Sequence, residues 1–131
     1  MPFHCVVITP EQQTFDATVT QAILPAFDGL IGILAGRSPL LVKLGVGPLR
    51  LDLANGQSRT YFIDSGIAQM KDNDLTILTT QAIEPKDIDV DAARAEAERA
   101  TAMRITDEKS LEARNRALAR GRVQQAMAGK Q

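Results

Sequence analysis

The chain has 131 residues, of which 44% are hydrophobic and 24% charged, and its formal net charge at pH 7 is −1. These values are typical of a folded domain, and they exclude disorder throughout the chain and a strong electrostatic attraction to nucleic acid. A single cysteine, Cys5, excludes an internal disulfide and every two-cysteine metal or redox motif. No apolar run approaches the ~20 residues of a membrane helix. We therefore expect a soluble protein kept in the cytoplasm, which reaches a membrane only through a partner.

The sequence up to about residue 85 has the pattern of an all-β domain. Short apolar, β-branched runs recur, with turn residues between them. In one run, Leu49, Leu51 and Leu53 alternate with more polar residues, as in a sheet with one solvated face. This spacing predicts an antiparallel β-sandwich or flattened barrel. The predicted strand runs are 3–8, 14–18, 19–24, 32–34, 40–44, 49–53, 60–63, 67–70 and 75–79.

Glycine-rich segments separate several of these runs. Asn55-Gly56 predicts a two-residue type I′ hairpin, and the segment 45–48 predicts another turn. The segment 29–38 superficially resembles a phosphate loop. It has Arg37 where such a loop has lysine, and Pro39 with an apolar strand follows it, so no helix N-terminus can receive a phosphate. We expect Gly29, Gly32 and Gly36 to be required by the backbone.

Beyond residue 90 the composition becomes helical, with abundant alanine, glutamate and arginine and no proline. The pattern predicts two helices, 91–104 and 107–128, that form an antiparallel hairpin. Asp87, Asp89 and Asp91 are predicted to cap the start of the first helix, and Thr106 the start of the second. We therefore divide the chain into a sandwich domain, 1–86, and a helical hairpin, 87–131.

The hairpin is poor in large apolar side chains, and its end is basic. Residues 108–131 hold six basic and two acidic side chains. Such a hairpin must rest on the sandwich or on a partner, and permanent docking on the sandwich is one of the two alternatives. Its arginines form either a solvated surface or a site for an acidic protein. These arginines are Arg114, Arg116, Arg120 and Arg122.

The side chains that commonly carry out catalysis or bind metals are scarce. His4 is the single histidine, and neighbouring strand residues point to opposite faces, so His4 and Cys5 cannot form a dyad. Nothing in the sequence clusters the three or four ligands of a zinc site or spaces two carboxylates for acid–base chemistry. We predict no catalytic residue, no metal ligand and no enzymatic activity of the chain by itself.

Three motifs, in order along the chain, carry a resemblance to a known family. They are Gly29-x-x-Gly32-Ile33-x-x-Gly36-x-x-Pro39-Leu40-Leu41, then Tyr61-Phe62-Ile63-x-Ser65-Gly66-Ile67, and then Asp91-Ala92-Ala93-Arg94-Ala95. In these motifs the chain resembles the epsilon subunit of the bacterial F-type ATP synthase, the counterpart of the chloroplast epsilon and mitochondrial delta subunits.

The resemblance implies a sandwich of about ten strands followed by a helical hairpin. It implies a non-catalytic rotor subunit that binds the gamma subunit and contacts the ring of c subunits, at the cytoplasmic face of the bacterial inner membrane. The family's hairpin either folds down or extends toward the alpha/beta head. When extended, it hinders ATP hydrolysis through basic residues that face an acidic segment of beta.

Two parts of the sequence depart from the family pattern. The turn that would meet the c-ring carries Leu30-Ile31 where many relatives have an acid, and Arg37 where relatives often have histidine. Leu30, Ile31, Arg37 and Ser38 are therefore our candidates for this contact. Some members bind ATP at the Asp-x-x-Arg-Ala stretch, which makes Asp91 and Arg94 weak candidates for regulatory ATP, with no resident cofactor.

One alternative function stays open at this stage. The chain could be a generic β-sandwich adaptor whose basic hairpin is docked constitutively on an acidic partner. Co-purification with the gamma subunit separates this alternative from the rotor subunit.

Overall fold

The computed structural model describes residues 2–26 and 28–128 of the chain. It contains two compact units, of which the first ends at Ala82 and the second begins at Ile83. A short 3-10 helix, Pro85–Asp87, belongs to the second unit. The sequence-based boundary after residue 86 lies just beyond this structural division.

The first unit is built from β-strands, three of which have 14 residues each. Each long strand joins two of the runs predicted from the sequence, so the described residues form seven strands instead of about ten. The turn predicted at residues 45–48 is wrong, because this segment lies inside a continuous strand. The strands are β1 (Phe3–Ile8), β2 (Gln13–Ala26), β3 (Gly29–Ile33), β4 (Leu40–Leu53), β5 (Ser58–Lys71), β6 (Asp74–Thr79) and β7 (Ala82–Ile83).

The sheet closes on itself. Its strand order is β1-β6-β5-β4-β2-β3, and β1 also pairs with β2, which joins the first five of these strands into a ring. Neighbours along this path are antiparallel except β1 and β6, which run parallel with Cys5 opposite Leu75. Closure satisfies the backbone groups along both edges of β1. The predicted fold class, a sandwich followed by helices, is confirmed, although one strand pair is not antiparallel.

The core lies inside this ring. In β1 and β6 buried residues alternate with more exposed ones, whereas residues 61–64 of β5 are all buried. In β1, Phe3, Cys5 and Val7 are buried and His4 is exposed. Burial of such side chains supplies the main driving force for folding. The largest fully buried side chains are Phe62, Leu24, Ile33, Leu44, Leu49, Leu51, Ile63, Met70, Leu75, Ile77, Val7 and Val19.

The type I′ turn lies at a different hairpin from the one predicted. At Asn55-Gly56 only the glycine has positive φ, +90°, and its N–H donates to the Leu53 carbonyl oxygen at 3.1 Å. This geometry fits a longer loop with glycine in the left-handed position. Asp72 and Asn73 both have positive φ, 53° and 61°, between the paired β5 and β6. They form the two-residue turn, because aspartate and asparagine tolerate the left-handed region.

β5 bends sharply at Ser65-Gly66, where φ is 65° and then 133°. The part of β5 that pairs with β6 starts at this bend, where Gly66 lies opposite Thr79, and ends at Lys71, opposite Asp74. The Thr79 hydroxyl donates to the Ser65 carbonyl oxygen at 2.7 Å, and the Thr80 hydroxyl donates to the carbonyl oxygen of Asp64. A Cβ at Gly66 would overlap the carbonyl oxygen of Leu78, so the bend requires glycine.

After the 3-10 helix, the second unit contains α1 (Val90–Ala102) and α2 (Glu108–Ala128). Asp89 caps α1 by accepting a hydrogen bond from the Ala92 N–H at 3.0 Å. Asp107 caps α2 by accepting one from the Ser110 N–H at 2.8 Å. The two helices are where we predicted them. Of the three aspartates predicted to cap the first helix, Asp89 is the cap, whereas Thr106, predicted to cap the second, is not the cap.

The bend in β5 leads to a first prediction, which compares two glycines of the sheet. Gly66→Ala should lower the free energy of unfolding by at least ~3 kcal/mol, because both the backbone angle and the overlap oppose a side chain. Gly32→Ala, in β3, should change it by less than ~0.5 kcal/mol, because φ there is not positive and a Cβ would meet no atom closer than 3.9 Å.

Urea unfolding of both variants measures these differences. Equal stabilities of the two variants would contradict the role given to Gly66. The structure already corrects our expectation for Gly32, whereas Gly29 and Gly36 do have positive φ, 140° and 78°.

Candidate functional site: two partner interfaces

The four residues predicted to meet the c-ring lie in β3 and in the loop after it. In β3, the Leu30 side chain is 68% exposed, whereas Ile31 is half-buried and packs against the core. Arg37 and Ser38 are exposed in the loop of residues 34–39. The alternation of the strand therefore leaves three of the four residues available to a partner.

A further exposed leucine lies beside this surface. Leu41, at the start of β4, is 71% exposed and lines a shallow groove with Leu30 and Lys43. Leu41 is not among the residues predicted from the sequence, although the pattern around it indicates its exposure. Leu40 and Val42 pack partly against the core, so the residue between them has to point outward. We call Leu30, Leu41, Arg37 and Ser38 the loop surface.

The loop of residues 34–39 is attached to the turn between β5 and β6. The Gly36 N–H donates to the side-chain oxygen of Asn73, Oδ1, at 2.9 Å. Asn73 belongs to the type I′ turn, which presents its side chain in a fixed direction. This hydrogen bond therefore fixes the backbone next to Arg37 and Ser38.

The four arginines of α2 are not equivalent. Arg116 and Arg122 are exposed, and Arg114 is half-buried. Arg120 donates from Nε to Glu96 Oε1 of α1 at 2.6 Å. Arg120 thus helps to join the two helices, and the residues best placed to meet a partner are Arg114, Arg116 and Arg122. The sequence did not show this difference, because the pairing depends on how the helices cross.

The two helices approach each other closely at Gly121. A Cβ there would lie 2.8 Å from the Ala93 carbonyl oxygen and 2.9 Å from the Ala97 methyl carbon. The buried side chains around the crossing are small, with Ala100, Ala117 and Leu118 forming one cluster. Gly121 is therefore a point of close backbone contact in the hairpin.

The candidate ATP residues lie at the start of α1. Asp91 and Arg94 are both exposed, and their spacing of three places them on one side of the helix. The structure does not test whether they bind a nucleotide.

Cys5 lies in the core with no exposed surface. Burial raises the pKa of its thiol to about 12. The thiol is therefore protonated at neutral pH and is a poor nucleophile.

Among the described residues, no helix is long and apolar enough to cross a membrane.

Comparison with known proteins identifies the family. Residues 2–85 match the family model described as ATP synthase, Delta/Epsilon chain, beta-sandwich domain. The ATP synthase epsilon chain of Rhodopirellula baltica is 36% identical over 124 residues, covering 95% of this chain and 96% of the relative. This chain belongs to the ATP synthase delta/epsilon family. The family resemblance inferred from the motifs is confirmed.

Other members of the family come from different kinds of organism. The chloroplastic epsilon chain of Emiliania huxleyi is 37% identical, with 77% of each chain covered. The epsilon chain of Propionigenium modestum, described as sodium ion specific, is 31% identical and covers 83% of this chain and 80% of the relative.

Solved structures show the same fold. A chain of the Euglena gracilis mitochondrial ATP synthase, in a structure of OSCP, F1 and c-ring, aligns with a TM-score of 0.83 and 21% identity, over 99% of this chain and 82% of that one. A chain of the Tetrahymena thermophila central stalk and c-ring structure aligns with a TM-score of 0.73 and 15% identity, over 95% of each chain. Both alignments include the helices as well as the sandwich, because they cover nearly the whole chain.

The helix crossing leads to a second prediction. Gly121→Ala should destabilise the hairpin by ~1–3 kcal/mol, because the methyl group forces α1 and α2 apart. In an open helix position the same change would stabilise by about 1 kcal/mol. Hydrogen exchange of the amides in α1 and α2 measures the difference.

Asn115→Ala, at an exposed position of α2, is the matched control and should slow exchange slightly through its better helix propensity. Slower exchange in Gly121→Ala as well would show that the crossing has room for a side chain.

Proposed function

We propose that this chain is a non-catalytic subunit of the central stalk of an F-type ATP synthase. Its sandwich binds the gamma subunit and contacts the c-ring, and its hairpin restrains ATP hydrolysis. The observation that carries the proposal is the family relationship over almost the whole chain, sandwich and helices together. The relatives from F1 and c-ring structures, named above, support the same setting.

The loop surface is the proposed contact with the c-ring. It combines two strongly exposed leucines, Leu30 and Leu41, with the polar Arg37 and Ser38. When a partner covers exposed apolar groups on a rigid sheet, their removal from water makes the free energy of binding more favourable. The hydrogen bond from Gly36 to Asn73 preorganises the loop, which reduces the entropy lost on binding.

The hairpin is the proposed regulatory element. Arg114, Arg116 and Arg122 would face an acidic segment of the beta subunits, with guanidinium groups that pair with carboxylates in two-pronged hydrogen bonds. Small-residue packing between α1 and α2 buries little apolar area, so a partner can compete for the helices with a modest difference in affinity.

The chemistry of two side chains supports the proposed non-catalytic role. The one thiol is buried and protonated, and the one histidine is occupied by carboxylates. The chain would act by binding, at the cytoplasmic face of the bacterial inner membrane and attached through the complex. Asp91 and Arg94 remain candidates for a weak regulatory ATP site, with no resident cofactor.

The alternative of a generic adaptor has less support, because the family match includes the helices as well as the sandwich. Co-purification separates the two functions directly. The rotor subunit should co-purify with gamma, and a chain that never does so would refute the proposal.

A third prediction tests the regulatory role. In the assembled complex, changing Arg114, Arg116 and Arg122 together to alanine should raise the rate of ATP hydrolysis. The increase should shrink with added salt, because exposed charges are screened within about 10 Å at 0.1 M ionic strength. Arg120 is left unchanged, since its loss would break the bond to Glu96 and weaken the hairpin itself.

The control removes three other exposed cations of the same unit, Arg99, Arg104 and Lys109. It removes the same amount of charge and should leave hydrolysis unchanged. Hydrolysis is measured at two salt concentrations, after co-purification has shown that each variant assembles. If the first triple variant and the wild type hydrolyse ATP at equal rates at low salt, the arginines are only a solvated surface and their regulatory role is refuted.

A further inference from the structure

His4 lies on the outer face of the sheet between two carboxylates. Its Nε2 is hydrogen-bonded to Asp16 Oδ1 of β2. Its Nδ1 lies 3.4 Å from Asp74 Oδ1 of β6. The three side chains are each roughly half to two-thirds exposed, and they lie where β1 closes the ring between β2 and β6.

This geometry depends on a proton. A neutral imidazole carries one N–H and can donate to one carboxylate, whereas the imidazolium carries two and can donate to both. Both ring nitrogens of His4 face carboxylate oxygens, so the arrangement is complete only when the ring is protonated. Loss of the proton leaves one of the two carboxylates without its hydrogen bond from the ring, while the backbone pairing of β1 with β2 and β6 stays in place.

Other polar groups near the cluster act on the carboxylates. Gln13 donates from Nε2 to Asp16 Oδ2 at 2.9 Å, which holds that carboxylate in place. Lys71 of β5 lies opposite Asp74, on the same face of the sheet, and supplies a second cation beside it. The charged side chains that act on His4 from the strands beside β1 are therefore Asp16 and Asp74, with Lys71 one strand further away.

The cluster connects to the loop surface through the type I′ turn. The His4 N–H donates to the Asn73 carbonyl oxygen at 3.1 Å, and Asp74 directly follows that residue. The side chain of the same Asn73 accepts from the Gly36 N–H at 2.9 Å. One residue, Asn73, thus bonds both to the backbone of His4 and to the loop that carries Arg37.

We propose that His4, Asp16 and Asp74 form a proton-dependent clasp, which ties β1 to β2 and β6 and adjusts the loop at Gly36 through Asn73. The clasp is a property of this chain alone, so its test does not depend on the proposed partners.

The direction of the pH dependence follows from the two carboxylates. The hydrogen bond to Asp16 and the negative charges of Asp16 and Asp74 raise the pKa of His4 above 6.5, against a smaller opposing effect of desolvation. The hydrogen bond from His4 lowers the pKa of Asp16. The contribution of His4 to stability is therefore full below pH 6.5 and is lost as the pH rises through its raised pKa. The same interaction is also lost under acid conditions, as the pH falls through the lowered pKa of Asp16.

The fourth prediction uses the single histidine of the chain, so every histidine ring signal in the NMR spectrum belongs to His4. In the full chain, the ring protons of His4 should titrate with a pKa above 6.5. Asp16→Asn and Asp74→Asn should each lower that pKa. A pKa of 6.5 or below in the wild type, or one that neither variant lowers, would overturn the clasp.

The connection to the loop has its own measurement. The amide signal of Gly36 should shift with pH at the midpoint of the His4 titration, and the shift should vanish in His4→Gln. It should also vanish in Asn73→Gly, which keeps the left-handed turn but removes the side-chain acceptor. Asp72→Gly is the matched control in the same turn and should keep the shift. A Gly36 signal that stays constant while His4 titrates would refute the connection.

Discussion

Closure of the sheet depends on the bend of β5 at Ser65-Gly66. β6 pairs with β5 only from Gly66 onward, and β6 then pairs with β1, which completes the ring. The carbonyl oxygen of Leu78 occupies the space that a side chain at residue 66 would need. The hydroxyls of Thr79 and Thr80 bond the carbonyl oxygens of the bent residues, so the bend leaves few backbone groups without partners. The loop at Gly36 is bonded to this closed frame through Asn73, in the turn between β5 and β6.

The hairpin is stabilised in a different way. The sandwich has a continuous core of large side chains, whereas α1 and α2 meet through alanines and Gly121, with one bond from Arg120 to Glu96 across the crossing. Close backbone approach gives good packing contacts but little buried apolar area. Such an element is expected to open at a lower free energy than the sandwich. This difference is what a regulatory element of the proposed kind requires.

The sequence was sufficient for the fold class, both helices and most exposed candidates, because alternation and composition are local signals. It was insufficient where pairing between distant residues determines the course of a strand, the type of a turn or the partner of a side chain. The local sequence of residues 45–48 does not indicate a continuous strand. This segment is extended because it pairs with β5, which lies further along the chain. Likewise Asn55-Gly56 favours a type I′ turn locally, yet the register of β4 and β5 selects a longer loop. The role of Arg120 depends on Glu96, 24 residues away, and the clasp depends on three strands meeting at His4.

Native-state hydrogen exchange of the full chain tests the central claim, that the two units differ in stability because their cores differ in kind. Amides of α1 and α2 should exchange through an opening with a lower free energy, and a smaller dependence on denaturant, than amides of β1, β5 and β6. One common free energy and one common denaturant dependence for all of these amides would mean that the chain unfolds as a single unit. That result would contradict the account of a separately opening hairpin.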